Sequence, residues 1–399
     1  MRVYLVGGAV RDLLLGQPVR ERDWLVTGAT PERLRALGYR QVGKDFPVFL
    51  HPETHEEYSL PRRNRGDAGS GPVGIEEDLA RRDLTINALA RGPDGEIIDP
   101  CGGRADLENR ILRHTPSFTE DPVRVLRLAR FATRYHGLGF RIAPETCELA
   151  REMAAAGALD DLVPERVWGE ISKALGEEKA HLFFKVLRDL DALAPVLPEL
   201  DRLFGVPQPR KYHPEIDTGL HSLLVLEQAC RLSGDPQVRF AALVHDLGKG
   251  ATPPELWPSH RGHEKRGAAI IESLCRRLRI PNAWRDLAIQ AARYHTRCHR
   301  ALELRPGKLL DTLTTLDALR RPQRFERFLL VCEADIRGRA GMERRDYPQA
   351  AYFRAVREAA AGVDAAAISR AGADPQRIAA LVAQERIGRI AAVRKSAPG

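Results

Sequence analysis

The chain contains no C-x-x-C pair. Its six cysteines, Cys101, Cys147, Cys230, Cys275, Cys298 and Cys332, are scattered, which excludes zinc-ribbon and thioredoxin-type sites. The opening MRVYLVGGAVRD meets Gly-Gly and charge too early for a secretory leader, so reduced thiols in a cytoplasm are expected. No apolar run approaches the roughly 20 residues a membrane span needs, and no membrane partner is expected. Aromatic residues are sparse at 6%, so stacked aromatics are not the first expectation for ligand binding. What is present is ordinary for a globular protein: 43% hydrophobic and 29% charged residues exclude wholesale disorder. At roughly 100–200 residues per domain, a chain of this length holds two or three domains, each able to bury its own core. The 62 Lys+Arg against 54 Asp+Glu leave a formal charge of +8, a weak argument for a polyanionic partner.

The first hundred or so residues alternate short apolar strands with helical patches. Arg2–Val6 reads as a strand, Gly7-Gly8 as a turn, Val10–Leu15 as a short helix and Trp24–Val26 as a strand. Thr30 and Pro31 mark a helix start. Val48–Leu50 and Glu57–Leu60 are further strand candidates, and Pro61 to Glu76 is a Gly/Arg/Pro-rich loop. From about Pro122 the pattern is helical. VRVLRLARFATRY sets Val125, Leu126, Leu128 and Ala129 on one side and Arg124, Arg127, Arg130 and Arg134 on another, either a solvated stripe or a functional one. FGVPQPRKYHPEIDTG interrupts the helices as a linker. The expected fold class is α+β, a small N-terminal α/β head followed by an all-helical body.

Glycines at the end of a strand let the backbone approach a ligand, and the following helix N-terminus offers N–H groups to phosphate oxygens. Arg11, on that first turn, adds a fork of donors. The same string also fits an ordinary tight turn. Glu21-Arg22-Asp23 enters the strand WLV, where side chains at i and i+2 share a face, so two carboxylates stand side by side. Mg²⁺ accepts oxygen ligands and bridges to substrate phosphates. Two such ions roughly 3.5–4 Å apart can activate a hydroxyl and steady a leaving pyrophosphate. The plainer alternative is a charged strand edge.

Four ordered strings carry a resemblance. GGAVRD, the carboxylate-x-Asp pair, RRDLTINALA (Arg81–Ala90) and EDPVRVLRLARF (Glu120–Phe131) resemble bacterial class II tRNA nucleotidyltransferases. These are the CCA-adding enzymes and their bacterial poly(A) polymerase relatives. FPVFLHPETHEEYSL, VPERVW, FGVPQPRKYHPEIDTGLH and HDLGKG resemble the branch that carries an HD domain, and the likeness runs through most of the chain. It implies a polymerase β-like nucleotidyltransferase head. By that resemblance Gly8 and Arg11 contact the incoming CTP or ATP, Glu21 and Asp23 are the catalytic carboxylates that hold Mg²⁺, and Glu57 supports them. Arg82, with Arg127 and Arg130, holds the nucleotide's phosphates or sugar. Asp121 and Arg124 of ED-x-x-R serve as an amino-acid template, a role suited to an acceptor carboxylate and a donor guanidinium.

The chain departs from the family pattern in two places. Glu21-x-Asp23 stands where Asp-x-Asp is usual. The loop 62–78 is short, lacks an aromatic segment and carries Asn64 where Glu is expected. A short loop is a feature of CC-adding members, so addition of CC alone is an alternative.

In the body, His221 lies in HSLLVL, His245-Asp246 follows FAALV, and Asp335 sits in CEADIRGR. Imidazole with carboxylate suits Mn²⁺, Ni²⁺, Fe²⁺ or Zn²⁺ better than an all-oxygen cage. A lone helical His is commonly an ordinary packing residue. The ordered set, however, resembles the HD phosphohydrolase superfamily, with His263 and His295 as accessory positions and Lys249 placed to neutralise a phosphate. The resemblance implies 2′,3′-cyclic phosphodiesterase, 2′-nucleotidase and phosphatase activities at a transition-metal site, Ni²⁺ among the candidates. It implies a head at 1–115, a helical neck at 116–200, a linker at 201–217, an HD domain at 218–319 and a tRNA-binding tail at 320–399. The implied partners are tRNA, CTP and ATP, with the chain a monomer or homodimer. A reading from another class is an HD phosphohydrolase whose head senses nucleotide.

Overall fold

The structure, a computed structural model, describes residues 1–42, 48–61, 74–370 and 374–396. The chain divides into two compact units, Met1–Leu162 with Asp189–Ala192, and Val163–Arg188 with Leu193–Gly399. The first is mixed α and β and the second is helical, as expected. Among the described residues no helix is long and apolar enough to cross a membrane, and all six cysteines are free thiols.

The head sheet has the order β3-β4-β5-β2-β1-β6-β7. Its strands are β1 (Arg2–Val6), β2 (Asp23–Thr27), β3 (Arg40–Val42), β4 (Val48–Leu50), β5 (Glu57–Ser59), β6 (Ala90–Arg91) and β7 (Ile97–Ile98). Period-2 alternation gives the sheet two apolar faces. Tyr4, Val6 and Leu25 pack with Leu79, Ala88 and Ala90 on one, and Val26, Leu34 and Phe49 on the other. The head helices are α1 (Gly8–Leu14), α2 (Pro31–Ala36), α3 (Ile75–Ala80), α4 (Gly103–Glu108), α5 (Val123–Tyr135) and α6 (Pro144–Ala155). Thr30 caps α2 by accepting from the Arg33 N–H at 3.3 Å, and Pro31 opens the first turn.

Register positions the chemistry. In the antiparallel pair β1–β2, Val6 lies opposite Asp23, and in the parallel pair β2–β5, Asp23 lies beside Glu57. The turn at Gly7, Asp23 and Glu57 therefore meet at one end of three adjacent strands.

One expectation needs correction. Glu21 was expected inside the strand, yet β2 begins at Asp23 and Glu21 lies exposed in the preceding loop. Its ladder partner is missing because β1 ends at Val6 and the chain turns away at Gly7. Of the two alternatives for the arginine stripe of α5, the solvated face does not hold: Arg124 and Arg130 are buried and Arg127 is half-buried, while Arg134 is exposed. Of the short loop, residues 62–73, Asn64 included, lie outside the described residues.

The second unit contains α7 (Pro164–Leu175), α8 (His181–Asp189), α9 (Leu193–Val196), α10 (Pro198–Asp201), α11 (Thr218–Leu232) and α12 (Pro236–Val244). It continues with α13 (His263–Arg277), α14 (Asn282–His299), α15 (Pro306–Thr315), α16 (Pro322–Arg337), α17 (Pro348–Ala361), α18 (Ala365–Arg370) and α19 (Pro375–Ser396). Asp217 caps α11 and Asp235 caps α12, each carboxylate accepting a backbone N–H, at 2.8 and 2.9 Å. Helices α11, α12, α14 and α16 pack on one another, and α13 packs on α14. The turn Leu247–Ala251 presses on α13 so closely that a Cβ at Gly248 would collide with the His263 carbonyl and Gly267.

Candidate active site and metal centre

The head site begins at Gly7. Its φ of +67° strains any side chain, and a Cβ there would strike the Arg82 guanidinium. Arg82 thus lies over the turn, 3.6 Å from Asp78, while Arg11 lies beside Gly8. Asp23 stands at the first position of β2 with Glu57 in register and Glu21 two residues before it. Desolvation raises the Asp23 pKa, the Arg82 charge opposes that rise, and the Glu21 charge adds to it. Two carboxylates that repel in this way form an oxygen-donor set suited to a hard divalent cation.

Behind this rim runs a buried polar network that the sequence reading did not identify. Arg11 is 4% exposed, and its Nε and Nη2 both contact Asp12 Oδ1 at 2.9 Å. Its Nη1 donates to Asn87 Oδ1, and its Cζ lies 5.3 and 5.2 Å from the Phe131 and Tyr135 ring centroids. The Tyr135 hydroxyl donates to Asp12 Oδ1 at 3.3 Å. Asn87 Nδ2 donates to Asp83 Oδ1 at 2.9 Å, and Arg127 Nε donates to Asp83 Oδ2 at 2.7 Å. Burial pushes Asp83 upward, yet the Arg127 charge and donors from Asn87, Arg127 and the Leu84 N–H hold its carboxyl below the usual range. The chain Tyr135–Asp12–Arg11–Asn87–Asp83–Arg127 is unbroken and joins α1, the turn Thr85–Asn87 and α5.

The expected template pair also lies in the head. Arg124 Nη2 donates to the Arg81 carbonyl at 2.6 Å, and Nη1 donates to the Ser117 carbonyl and to Ser117 Oγ, the latter at 3.0 Å. Burial lowers the Arg124 pKa, against the charges of Asp83, Asp121 and Glu120. Asp121 is half-buried, with Oδ1 accepting from the Val123 N–H at 3.3 Å. Arg130 is buried, its guanidinium 4.5 Å from the Phe131 ring centroid.

In the second unit the structure gathers the expected ligands in one buried cage. His221 comes from α11, His245 and Asp246 from the end of α12, His263 and His295 from α13 and α14, and Asp335 from α16. The ligand atoms of His221, His245 and Asp246 lie within 4.8 Å of one another. So do those of His245, His295 and Asp335, and those of Asp246, His263 and His295. Nδ1 of His245, His263 and His295 contacts the Ala242, His260 and Ala291 carbonyls at 2.8, 2.9 and 2.9 Å. With the proton on Nδ1, each Nε2 lone pair is free to ligate. Buried His245 Nε2, His263 Nε2 and Asp246 Oδ1 have no hydrogen-bond partner. His245 Nε2 lies 3.2 Å from Asp246 Oδ2, close enough for both to reach one metal ion. Such orphaned atoms fit a metal ion, and the mixed imidazole–carboxylate set fits a transition metal.

Electrostatics agree at His295 but not at His245, which burial would lower and which the charge of Asp246 beside it raises. Desolvation pulls His295 down to about 3, which keeps the imidazole neutral. Asp246 and Asp335 stay well below the usual carboxylate range despite burial, because His245 and Lys249 face the first and His299 and His221 the second. Lys249 Nζ sits 2.6 Å from Asp246 Oδ2. Two members of the cage escaped the sequence reading. Glu215 Oε1 lies 2.9 Å from His221 Nδ1, and His299 Nε2 lies 2.6 Å from Asp335 Oδ2. The first sits inside the quoted PRKYHPEIDTGLH string, whereas nothing in the sequence marks the second.

The family described as "Poly A polymerase head domain" matches residues 3–113. The "Probable RNA and SrmB- binding site of polymerase A" family matches 139–204, and the "HD domain" family matches 218–336. A Multifunctional CCA protein of Thioalkalivibrio sulfidiphilus is 63% identical over 365 residues, covering 89% of each chain. Another, of Alkalilimnicola ehrlichii, is 57% identical over 408 residues, covering 100% of this chain and 99% of the relative. Among solved structures, a CCA-adding enzyme in complex with CTP has a TM-score of 0.67 at 20% identity, covering 98% of this chain and 87% of its own. A Thermotoga maritima CCA-adding enzyme complexed with tRNA has a TM-score of 0.66 at 18% identity, covering 99% and 90%. Both share the fold.

Proposed function

The chain belongs to the family of multifunctional CCA proteins, CCA-adding tRNA nucleotidyltransferases with an HD domain, and on that premise we propose how its two sites make and repair a tRNA 3′ end. In the head, the tRNA 3′-hydroxyl attacks the α-phosphate of CTP or ATP, and pyrophosphate leaves. Glu21 and Asp23, seconded by Glu57, hold Mg²⁺, which when bound neutralises phosphate charge and acidifies the attacking hydroxyl. Gly7 and Gly8 let the backbone approach the triphosphate. Arg82, over that turn, neutralises phosphate charge, and Arg127 is aimed by Asp83. Arg11 acts through its network, holding the Gly8 turn against Asn87, as much as by direct contact. Asp121 accepts from the amino group that cytosine N4 and adenine N6 share, and Arg124 exchanges a carbonyl partner for the base edge.

In the second unit, water attacks a phosphate ester at tRNA 3′ ends, giving 2′,3′-cyclic phosphodiesterase, 2′-nucleotidase and phosphatase activity. His221, His245, Asp246 and Asp335 hold a transition metal such as Ni²⁺, which when bound supplies a Lewis acid and a nucleophilic water. Lys249 neutralises charge at the phosphate, and His263 and His295 complete the cage.

The observation that carries the reading is register. Val6 opposite Asp23, and Asp23 beside Glu57, bring acidic residues to the glycine turn that fronts the nucleotide. The test separates the sites. Asp23→Ala abolishes nucleotide incorporation into tRNA lacking its CCA end and leaves cyclic-phosphate hydrolysis intact, and His245→Ala does the reverse. Loss of the same activity in both variants overturns the two-site reading, and hydrolysis without any incorporation revives the nucleotide-sensing alternative.

A further inference from the structure

Ser117, buried at 8% exposure, lies at the junction between the Arg124 guanidinium and the turn that carries Arg82. Its hydroxyl has one proton, aimed at the Ala80 carbonyl at 3.0 Å and, more weakly, at the Arg82 carbonyl at 3.4 Å. The oxygen lone pairs are left for Arg124, whose Nη1 donates to Ser117 Oγ at 3.0 Å and also to the Ser117 carbonyl. Nη1 thus takes two acceptors from one residue, while Nη2 donates to the Arg81 carbonyl at 2.6 Å.

The same serine anchors the other half of the expected template pair. Its carbonyl accepts the Glu120 N–H at 3.0 Å, which folds the turn Phe118–Glu120 leading into Asp121. The Asp121 carbonyl in turn accepts the Arg124 N–H at 2.9 Å. Ser117 therefore ties the tip of Arg124 to the base of the turn that ends at Asp121.

That tie matters for the chemistry of the bases. Cytosine sets an amino donor beside its N3 acceptor, and adenine sets one beside N1. Uracil reverses both, with an O4 acceptor beside an N3–H donor. A carboxylate acceptor beside a guanidinium donor matches the first two and mismatches the third at both atoms. The mismatch discriminates only if the guanidinium stays in place, because one free to swing would turn its N–H groups onto uracil O4.

We propose that Ser117 is a specificity-determining positioning residue for nucleotide transfer. It holds the plane of the Arg124 guanidinium beside Asp121, and so sets how strictly CTP is preferred to UTP. Nη1 is the pivot, and Nη2 is the group that leaves the Arg81 carbonyl for the base. This rests on the template reading of Asp121 and Arg124.

The test uses the full chain with Mg²⁺, a tRNA lacking its CCA end, and labelled CTP or UTP. Wild type is compared with Ser117→Ala, Ser117→Thr, Arg124→Ala and the double variant Ser117→Ala/Arg124→Ala. In Ser117→Ala, Arg124 keeps the Ser117 and Arg81 carbonyls, so no buried charge is orphaned and the head folds. Its kcat/KM for CTP falls about tenfold while that for UTP is unchanged, within what one base-edge pair contributes to discrimination. Ser117→Thr, which keeps the hydroxyl, restores the ratio. Arg124→Ala loses the preference, and the double variant loses nothing more, because Ser117 acts through Arg124. A native CTP-to-UTP ratio in Ser117→Ala, or an equal fall for both nucleotides, overturns the role of Ser117, as does a further loss in the double variant. With Arg124→Ala unselective, each of these results leaves the template reading standing. Native preference in Arg124→Ala overturns the template reading and the proposal with it.

Discussion

Replacing Asn87 with alanine tests the buried network of the head. Asn87 is 5% exposed, so water does not take over its contacts. The substitution removes the acceptor of Arg11 Nη1 and the donor to Asp83 Oδ1. Arg11 keeps Asp12, and Asp83 keeps Arg127 and the Leu84 N–H, so neither charge is orphaned. The loss is two hydrogen bonds to charged groups at about 1.5–3 kcal/mol each; with the remaining partners taking up part of it, about 3 kcal/mol is expected. For a unit of this size that lowers the melting transition by about 6–12 °C. Arg11 and Arg127 are then no longer held from both sides, and a displacement of about 1 Å at a reacting centre costs on the order of 100-fold in rate. Calorimetry reads the first effect and incorporation of labelled CTP the second, with cyclic-phosphate hydrolysis as the internal control. Asn87→Asp is a sharper probe, because it sets a carboxylate oxygen about where Nδ2 stands, 2.9 Å from Asp83 Oδ1. It should destabilise further at neutral pH and recover on acidification. Native melting and native transfer in Asn87→Ala would refute the network's positioning role.

Three further outcomes follow from the same geometry. Asp83, whose folded pKa lies below its ordinary 3.8, contributes stability that is present above that value and lost as pH falls through it towards the folded pKa. Wild-type melting of the head therefore drops more steeply on acidification than that of Asp83→Asn, and parallel profiles would contradict the assignment. Glu215→Gln keeps the size of the side chain but removes the charge facing His221 Nδ1, and calorimetric titration should show Ni²⁺ affinity lower by about 10–100-fold with CTP incorporation intact. Gly248→Ala pushes the Leu247–Ala251 turn off α13 at an overpacking cost of about 1–3 kcal/mol, and loss of Ni²⁺ binding with retained CTP incorporation is the expected readout.

Local signals placed much of this fold. Strand alternation set Arg2–Val6, and Thr30-Pro31 marked the start of α2, because a cap and a proline act within one turn. The HD ligands were legible as an ordered set even though five helices supply them. Asn87 was not, although it lies in the quoted RRDLTINALA string, because its meaning comes from Arg11, 76 residues away in sequence. The same holds for Tyr135 with Asp12, 123 residues apart. His299 acts on Asp335 from another helix, and no spacing within either helix encodes that pairing. Helical periodicity left the arginines of α5 open as either a solvated or a functional stripe. Arg124 is buried because its guanidinium finds the Ser117 and Arg81 carbonyls, a rescue invisible to hydropathy.

The most direct measurement is the 3′-terminal sequence of a tRNA lacking CCA after incubation with the protein, CTP, ATP and Mg²⁺. The account predicts a product ending in CCA from the wild type and an unextended tRNA from Asp23→Ala. Unextended tRNA from the wild type, or extension that persists in Asp23→Ala, would contradict the central placement of the head carboxylates, and a product halted at CC would restrict the activity to the two cytidines.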